Sequence, residues 1–159
     1  MIGEYLTMKI AFPAFAMGVL VAIPPASWAE EQVKPPAITQ AAPGIKRTIL
    51  QKFDVPGTNY ETTFMKVEFV PDFSVDRHTH PGPEASYVLE GEITLVLDGQ
   101  SPKVLKAGDT TLFQPGIIHS GKVGQKGVVL LNSYVLEKGK PFMTKVDASG
   151  APIPADPPK

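Results

Sequence analysis

The chain has 159 residues, of which 43% are hydrophobic and 19% charged, and its formal net charge is −1. This length fits one domain, and the balance is that of an ordinary globular protein. Basic residues do not outnumber acidic ones (15 against 16), and no basic run is present, which argues against nucleic acid as a partner. The chain has no cysteine, so disulfides and thiol chemistry are excluded.

Residues 1–29 have the pattern of a secretory signal peptide. Lys9 precedes an apolar run over residues 10–23, and the small residues Ser27 and Ala29 stand where a cleavage site requires them. The alternative is a membrane anchor, but the run is shorter than the span of about 20 residues that a bilayer needs. We therefore expect a cleaved leader and a periplasmic or secreted protein that is not attached to a membrane.

The segments that follow differ in composition. Residues 30–44 form a polar, proline-bearing lead-in that we expect to be extended or mobile. Residues 148–159 form a proline-rich tail that we expect to be disordered or to lie along the surface. Residues 45–147 remain as one folded domain.

This domain is predicted to be all-β. It contains short runs rich in β-branched and aromatic residues, which turn signals separate at intervals of about 8–12 residues. The runs are RTILQKFDV, YETTFMKVEFV, ASYVLEG, EITLVLDG, PKVLKAG, DTTLFQPG and GVVLLNSYVL. Asp98-Gly99 is a strong hairpin turn pair. The pattern indicates a small β-barrel or jelly roll.

Histidine and glutamate are concentrated after the second of these runs. His78 and His80 are two residues apart, so on a strand they project from the same face. Two neutral imidazoles in this arrangement can bind one divalent ion. The turn over residues 81–83 reverses the chain, so that Glu84 can return a carboxylate to the same place. His119 supplies a third imidazole, and such a set suits Fe(II), Mn(II), Ni(II), Co(II) or Zn(II) with open positions for water or substrate.

At these residues the sequence resembles the cupin superfamily. The first cupin motif reads Gly, five residues, His-x-His, three or four residues, Glu, six residues, Gly. His78, His80, Glu84 and Gly91 fit this spacing. Asp72 departs from it, because it stands where the leading glycine belongs.

The second cupin motif is matched less fully. It reads Gly, five residues, Pro-x-Gly, two residues, His, three residues, Asn. Gly108, Gly116 and His119 match, whereas Gln114 replaces the proline and Val123 replaces the asparagine. The resemblance extends over about residues 47–135.

The resemblance implies a single-domain cupin double-stranded β-helix, that is, a jelly-roll barrel, similar to small bacterial quercetin-dioxygenase-like cupins. It implies one divalent metal bound by His78, His80, Glu84 and His119, with Glu84 also a candidate catalytic base. Two functions stay open: a metal-dependent, dioxygenase-like enzyme acting on a small oxygen-bearing substrate, or a non-catalytic module that binds a small ligand. The alternative for the four residues is a metal-free hydrogen-bonded cluster.

Several further residues have weaker signals. Ser86 shares a strand face with Glu84 and is a candidate hydrogen-bond donor to it. Gln114 is a candidate partner of metal-bound water. Tyr87 and Tyr134 can line a pocket, although core packing is the more common role of strand tyrosines.

We also expect a homodimer. Residues 47–55 are predicted to be an edge strand, and their apolar side chains would give a partner subunit something to bury.

Overall fold

The computed structural model describes residues 38–154, and these residues form nine β-strands. The strands are β1 (Ile38–Ala42), β2 (Ile45–Asp54), β3 (Tyr60–Phe69), β4 (Ser74–Thr79), β5 (Glu84–Leu97), β6 (Lys103–Lys106), β7 (Thr110–Phe113), β8 (His119–Glu137) and β9 (Thr144–Lys145). No helix capable of crossing a membrane occurs in this part of the chain. The expected signal peptide, residues 1–29, lies outside the described residues, as do residues 30–37 and 155–159.

The strands form one antiparallel sheet, as the alternating sequence predicts. Its order is β1-β2-β3-β8-β4-β9, and β5 pairs with β6, β7 and β8. The long strand β8 organises the sheet, because different parts of it pair with β3, β4 and β5. These pairings curl the sheet around an apolar interior.

The runs ASYVLEG and EITLVLDG, predicted separately, are joined in the single strand β5. Its register against β8 shifts between Gly91 and Ile93, where Gly91 has a φ of 76°. A Cβ on Gly91 would lie 2.0 Å from the carbonyl oxygen of Gly127, so only glycine fits this close approach. The predicted Asp98-Gly99 turn connects β5 to β6.

Apolar side chains from the inner faces of the strands form the core. Its buried members are Ile45, Met65, Val67, Val88, Ile93, Leu95, Leu105, Phe113, Val123, Val128, Leu130, Tyr134 and Leu136. They come from six strands that are distant in sequence, so the core links the two ends of the domain. The same interior contains the polar cluster described below.

Asp72, which stands where the first motif has glycine, has the backbone conformation that glycine favours. Asp72 has a φ of 58°, the left-handed conformation in which glycine is favoured, and is the one non-glycine residue with positive φ among residues 38–154. Aspartate tolerates this region better than most side chains. The backbone is held there because its N–H donates to the Gly124 carbonyl at 3.3 Å and its carbonyl accepts from the Lys122 ammonium.

The prediction that residues 47–55 form an edge strand is wrong over the first part of the run. Residues 38–42 of the expected lead-in form β1, which pairs with β2 from Ile38↔Ile49 to Ala42↔Ile45. A turn with a φ of 81° at Gly44 allows this reversal. Among residues 38–154 β1 is therefore the outer strand, and the homodimer stays a prediction without this argument.

The tail lies along the surface as far as the structure describes it and is not disordered there. Val146 and Pro152 form a β-bridge, and the Ile153 N–H donates to the Lys145 carbonyl at 2.8 Å. The Asp147 carboxylate closes the intervening turn by accepting from the Ser149 and Ala151 N–H groups. These local bonds outweigh the tendency of the composition toward disorder.

Candidate metal centre

The structure brings together all four residues that the sequence predicts as metal ligands. His78 lies at the end of β4, His80 directly after it, Glu84 at the start of β5 and His119 at the start of β8. His78 and His119 are opposite each other in the β4–β8 pairing. All four side chains are buried, with exposed fractions of 4–7%.

The polar atoms of the cluster converge on one point. The ligand nitrogens of His78, His80 and His119 lie within 4.8 Å of one another. Oε2 of Glu84 lies 3.0 Å from Nε2 of His80 and 3.5 Å from Nε2 of His119. The three imidazoles thus face a shared position, as ligands of a single ion must, and the carboxylate lies close to two of them.

Backbone carbonyls fix the tautomer of each histidine. Nδ1 of His78 is 2.8 Å from the Asp76 carbonyl oxygen, and Nδ1 of His119 is 3.1 Å from that of Ile117. Nδ1 of His80 is 2.8 Å from the carbonyl oxygen of Phe142. A carbonyl can only accept, so each Nδ1 carries the hydrogen and each Nε2 presents a lone pair to the cluster.

Three donors hold the other carboxylate oxygen of Glu84. Oε1 accepts hydrogen bonds from the Ser86 hydroxyl (3.1 Å), the Asn132 amide (2.8 Å) and the Tyr134 hydroxyl (2.9 Å). The β5–β8 register explains the set, because Glu84 is opposite Tyr134 and Ser86 is opposite Asn132. The predicted Ser86 contact is therefore present. The oriented carboxylate turns Oε2 toward the histidines.

Two buried atoms of the cluster have no hydrogen-bond partner. These are Nε2 of His80 and Oε2 of Glu84. They lie 3.0 Å apart, but Nε2 carries no hydrogen in the tautomer that the Phe142 carbonyl fixes, so it cannot donate to the carboxylate. Buried polar atoms without partners are rare and costly, and two such atoms facing each other are satisfied by one cation between them. The donor set therefore fits a divalent transition metal.

The cluster shifts the pKa values of its members. Burial, followed by the charge of His119, lowers the pKa of His78 to about 4. Burial alone would raise the pKa of Glu84, but His119 and His80 more than offset it, and the pKa lies well below its ordinary value. At neutral pH the cluster thus combines a neutral His78 with an ionised Glu84, the protonation states that metal binding requires.

These shifts predict that acid destabilises the metal-free protein. Between pH 6.5 and about 4 the unfolded chain protonates His78 and the folded chain does not, so the free energy of unfolding falls as the pH drops through this window. Glu84 adds a further loss below its ordinary pKa of 4.5. Since one pKa unit corresponds to about 1.4 kcal/mol, we expect a loss of about 2 kcal/mol from pH 7 to pH 5 in urea unfolding. The His78→Gln variant should lose most of this slope, and equal stability of the wild-type protein at both pH values would contradict the assignment.

A cavity of about 90 Å³ lies against the cluster. Aromatic rings shape its wall: Phe113 stacks on His119 with ring centroids 4.1 Å apart, and Phe142 meets the edge of His80 at 5.1 Å. The wall also includes Arg47, which the sequence did not single out. The metal centre therefore faces a largely apolar space with one additional charge.

Other residues considered from the sequence lie elsewhere or have another role. Tyr87 is 42% exposed and the Gln114 side chain is also exposed, and neither lines the cavity. Val123, which replaces the motif asparagine, is packed in the core. Asn132 was missed, although a polar residue at an inward position of the apolar run GVVLLNSYVL is a signal for it.

Comparison with known proteins agrees with the sequence resemblance. A family model described as "Cupin domain" matches residues 65–134, which run from β3 into β8 and include the four clustered residues. Residues 65–134 form a cupin domain. The predicted double-stranded β-helix is therefore confirmed. A comparison with curated proteins gives no match.

Solved structures with the cupin fold are similar to this chain. An RmlC-like cupin from Shewanella frigidimarina has 28% identity and a TM-score of 0.53, with 65% of this chain and 86% of that chain covered. KdgF from Halomonas sp. has 20% identity and a TM-score of 0.52, with 61% and 85% covered. A variant of oxalate decarboxylase from B. subtilis has 14% identity and a TM-score of 0.56, with 69% and 30% covered. The last two likenesses concern the fold alone.

Proposed function

We propose that this cupin is a mononuclear metal-dependent enzyme that acts on a small oxygen-bearing organic substrate. The observation that carries the proposal is the convergence of the ligand nitrogens of three buried histidines beside a cavity, with Glu84 Oε2 close to two of them. His78, His80, Glu84 and His119 would hold Fe, Mn, Ni, Co or Zn in its divalent form. Six-coordinate ions such as Fe(II), Mn(II), Ni(II) and Co(II) would keep two positions open beside four protein ligands, whereas tetrahedral zinc would be saturated by them.

The metal ligands and the aromatic residues of the site have different roles. A bound divalent ion supplies Lewis acidity, which polarises an oxygen of the substrate. The histidines stay oriented because each Nδ1 is tied to a carbonyl, and Phe113 and Phe142 limit the access of water to the cluster.

Glu84 is better suited to bind the metal than to act as a general base. Its Oε1 already accepts three hydrogen bonds, which leaves Oε2 alone to face the cluster. Its pKa lies well below the ordinary value, so the carboxylate is a weak proton acceptor at neutral pH. We therefore assign to Glu84 the role of a residue that would hold the metal, rather than that of the general base.

The proposal includes dioxygenase-like chemistry, which requires a redox-active ion. The test is oxygen uptake by protein loaded separately with Fe(II), Mn(II), Ni(II), Co(II) or Zn(II), with catechols, flavonols and β-diketones as substrates. We expect substrate-dependent uptake with at least one redox-active ion, none with zinc, and none for the His119→Ala variant. If these compounds change the Co(II) absorption spectrum and no metal form turns them over, the protein is a ligand-binding module and the enzyme proposal fails.

A further inference from the structure

Arg47 is a charged residue between two apolar residues on the inner face of β2. In β2 it alternates with Ile45 and Ile49, of which the first is a buried core residue and the second packs against the core. It is paired across the sheet with the buried Val67. Arg47 and the four clustered residues line the same cavity. The strand alternation therefore directs a guanidinium into the space beside the metal centre.

Within residues 38–154 no carboxylate is paired with Arg47. The salt bridges of this part of the chain involve other residues, and Glu84, the acidic residue of the cavity wall, has its Oε1 occupied by three neutral donors. Burial lowers the pKa of Arg47, although a guanidinium stays protonated at neutral pH. The other arginine of the chain, Arg77, is instead bonded to Asp98 and to the Asp147 carbonyl. A partly buried cation without a counter-ion is costly unless a ligand supplies one.

The charges and the wall of the cavity indicate what that ligand is. A divalent ion and Arg47 together outweigh the single negative charge of Glu84, so the metal-loaded cavity is positive and attracts an anion. A planar guanidinium can donate two parallel hydrogen bonds to the two oxygens of one carboxylate. Apolar side chains cover much of the remaining wall, namely Val67, Phe69, Val75, Leu95 and Leu130. These side chains can pack against a short hydrocarbon portion of the ligand.

We propose that Arg47 binds the carboxylate of the substrate, and that the substrate class is a small organic acid with an apolar body. The two hydrogen bonds from Arg47 to the carboxylate do not require a metal, whereas the placement of a substrate oxygen toward the histidines rests on the proposed function. Arg47 is thus a residue that determines specificity, separate from the four metal ligands.

The test is calorimetric titration of zinc-loaded protein with acetate, butanoate and benzoate, and with the matching neutral amides. We expect the carboxylates to bind the wild-type protein about tenfold or more tighter than the amides, because charge-assisted hydrogen bonds exceed neutral ones. The Arg47→Met variant should bind the carboxylates about tenfold more weakly, with unchanged amide binding and metal content, and Arg47→Lys should retain part of the affinity. Arg77→Met is the matched control, because it removes the same charge elsewhere and should leave the affinity unchanged.

Two results would overturn the role of Arg47. One is equal carboxylate affinity of Arg47→Met and wild-type protein, and the other is no binding of any of the three carboxylates below about 10 mM. Urea unfolding of each variant shows that a loss of affinity is not a loss of fold. The titrations are repeated on metal-free protein to separate this inference from the proposed function. If the wild-type protein takes up no metal, the proposed function fails, and the Arg47→Met effect on the metal-free protein still decides the anion site.

Discussion

Replacing His80 by alanine is expected to reduce the metal content from about one equivalent per chain to the level of the metal-free protein. The substitution removes one of four ligands and opens a buried site to water, so the remaining three are no longer held around a dry position. His80 is 4% exposed, its Nδ1 is bonded to the Phe142 carbonyl, and its Nε2 has no hydrogen-bond partner and is free to bind an ion. Element analysis after reconstitution and gel filtration measures the effect.

Thr79→Ala is the matched control for this loss. Thr79 is the last residue of β4 and directly precedes His80, and it does not line the cavity. The metal content of the Thr79→Ala variant should equal that of the wild-type protein. A His80→Ala protein that keeps full metal content would contradict the assignment of this ligand.

Replacing Gly82 by alanine is expected to destabilise the fold by about 3 kcal/mol or more and to weaken metal binding. An added Cβ would lie 1.9 Å from the carbonyl oxygen of Val135 and 3.0 Å from its carbonyl carbon. These are backbone atoms of β8 that cannot rotate away. The turn must then move, and it connects His80 to Glu84, two of the four proposed ligands.

Gly99→Ala provides the control for Gly82→Ala. It lies in the turn after β5 with a φ of 74°, and an added Cβ would meet nothing within 4 Å. The free energy of unfolding of Gly99→Ala should fall by only about 1 kcal/mol, because alanine is less stable than glycine in the left-handed conformation. Urea unfolding of both variants at neutral pH gives the comparison. Equal losses of stability in the two variants would show that the contact with β8 is not the cause of the Gly82→Ala effect.

Three of the four proposed ligands, His78, His80 and Glu84, were predictable from the sequence because their geometry is local. His78 and His80 share a face by strand alternation, and the turn that follows returns Glu84 within a few residues. The position of His119 is not local, since it depends on the pairing of β4 with β8. It was connected to the others because it is the third of three histidines in the chain and because it fits the second cupin motif.

Asn132 and Arg47 were missed because long-range strand pairing places them. Asn132 reaches Glu84 through the β5–β8 register, and Arg47 reaches the cavity through the pairing of β2 with β3. Each interrupts an apolar alternation at an inward position, which is the signal that can find such residues. Without the register, however, that signal does not show which site the polar side chain joins.

Anomalous diffraction from crystals of the metal-loaded protein, recorded on both sides of the absorption edge of the metal, tests the metal centre most directly. We expect a single strong anomalous peak, within about 2.3 Å of Nε2 of His78, His80 and His119 and of Oε2 of Glu84. A peak elsewhere on the protein, or an empty cluster in crystals of fully loaded protein, would contradict the account.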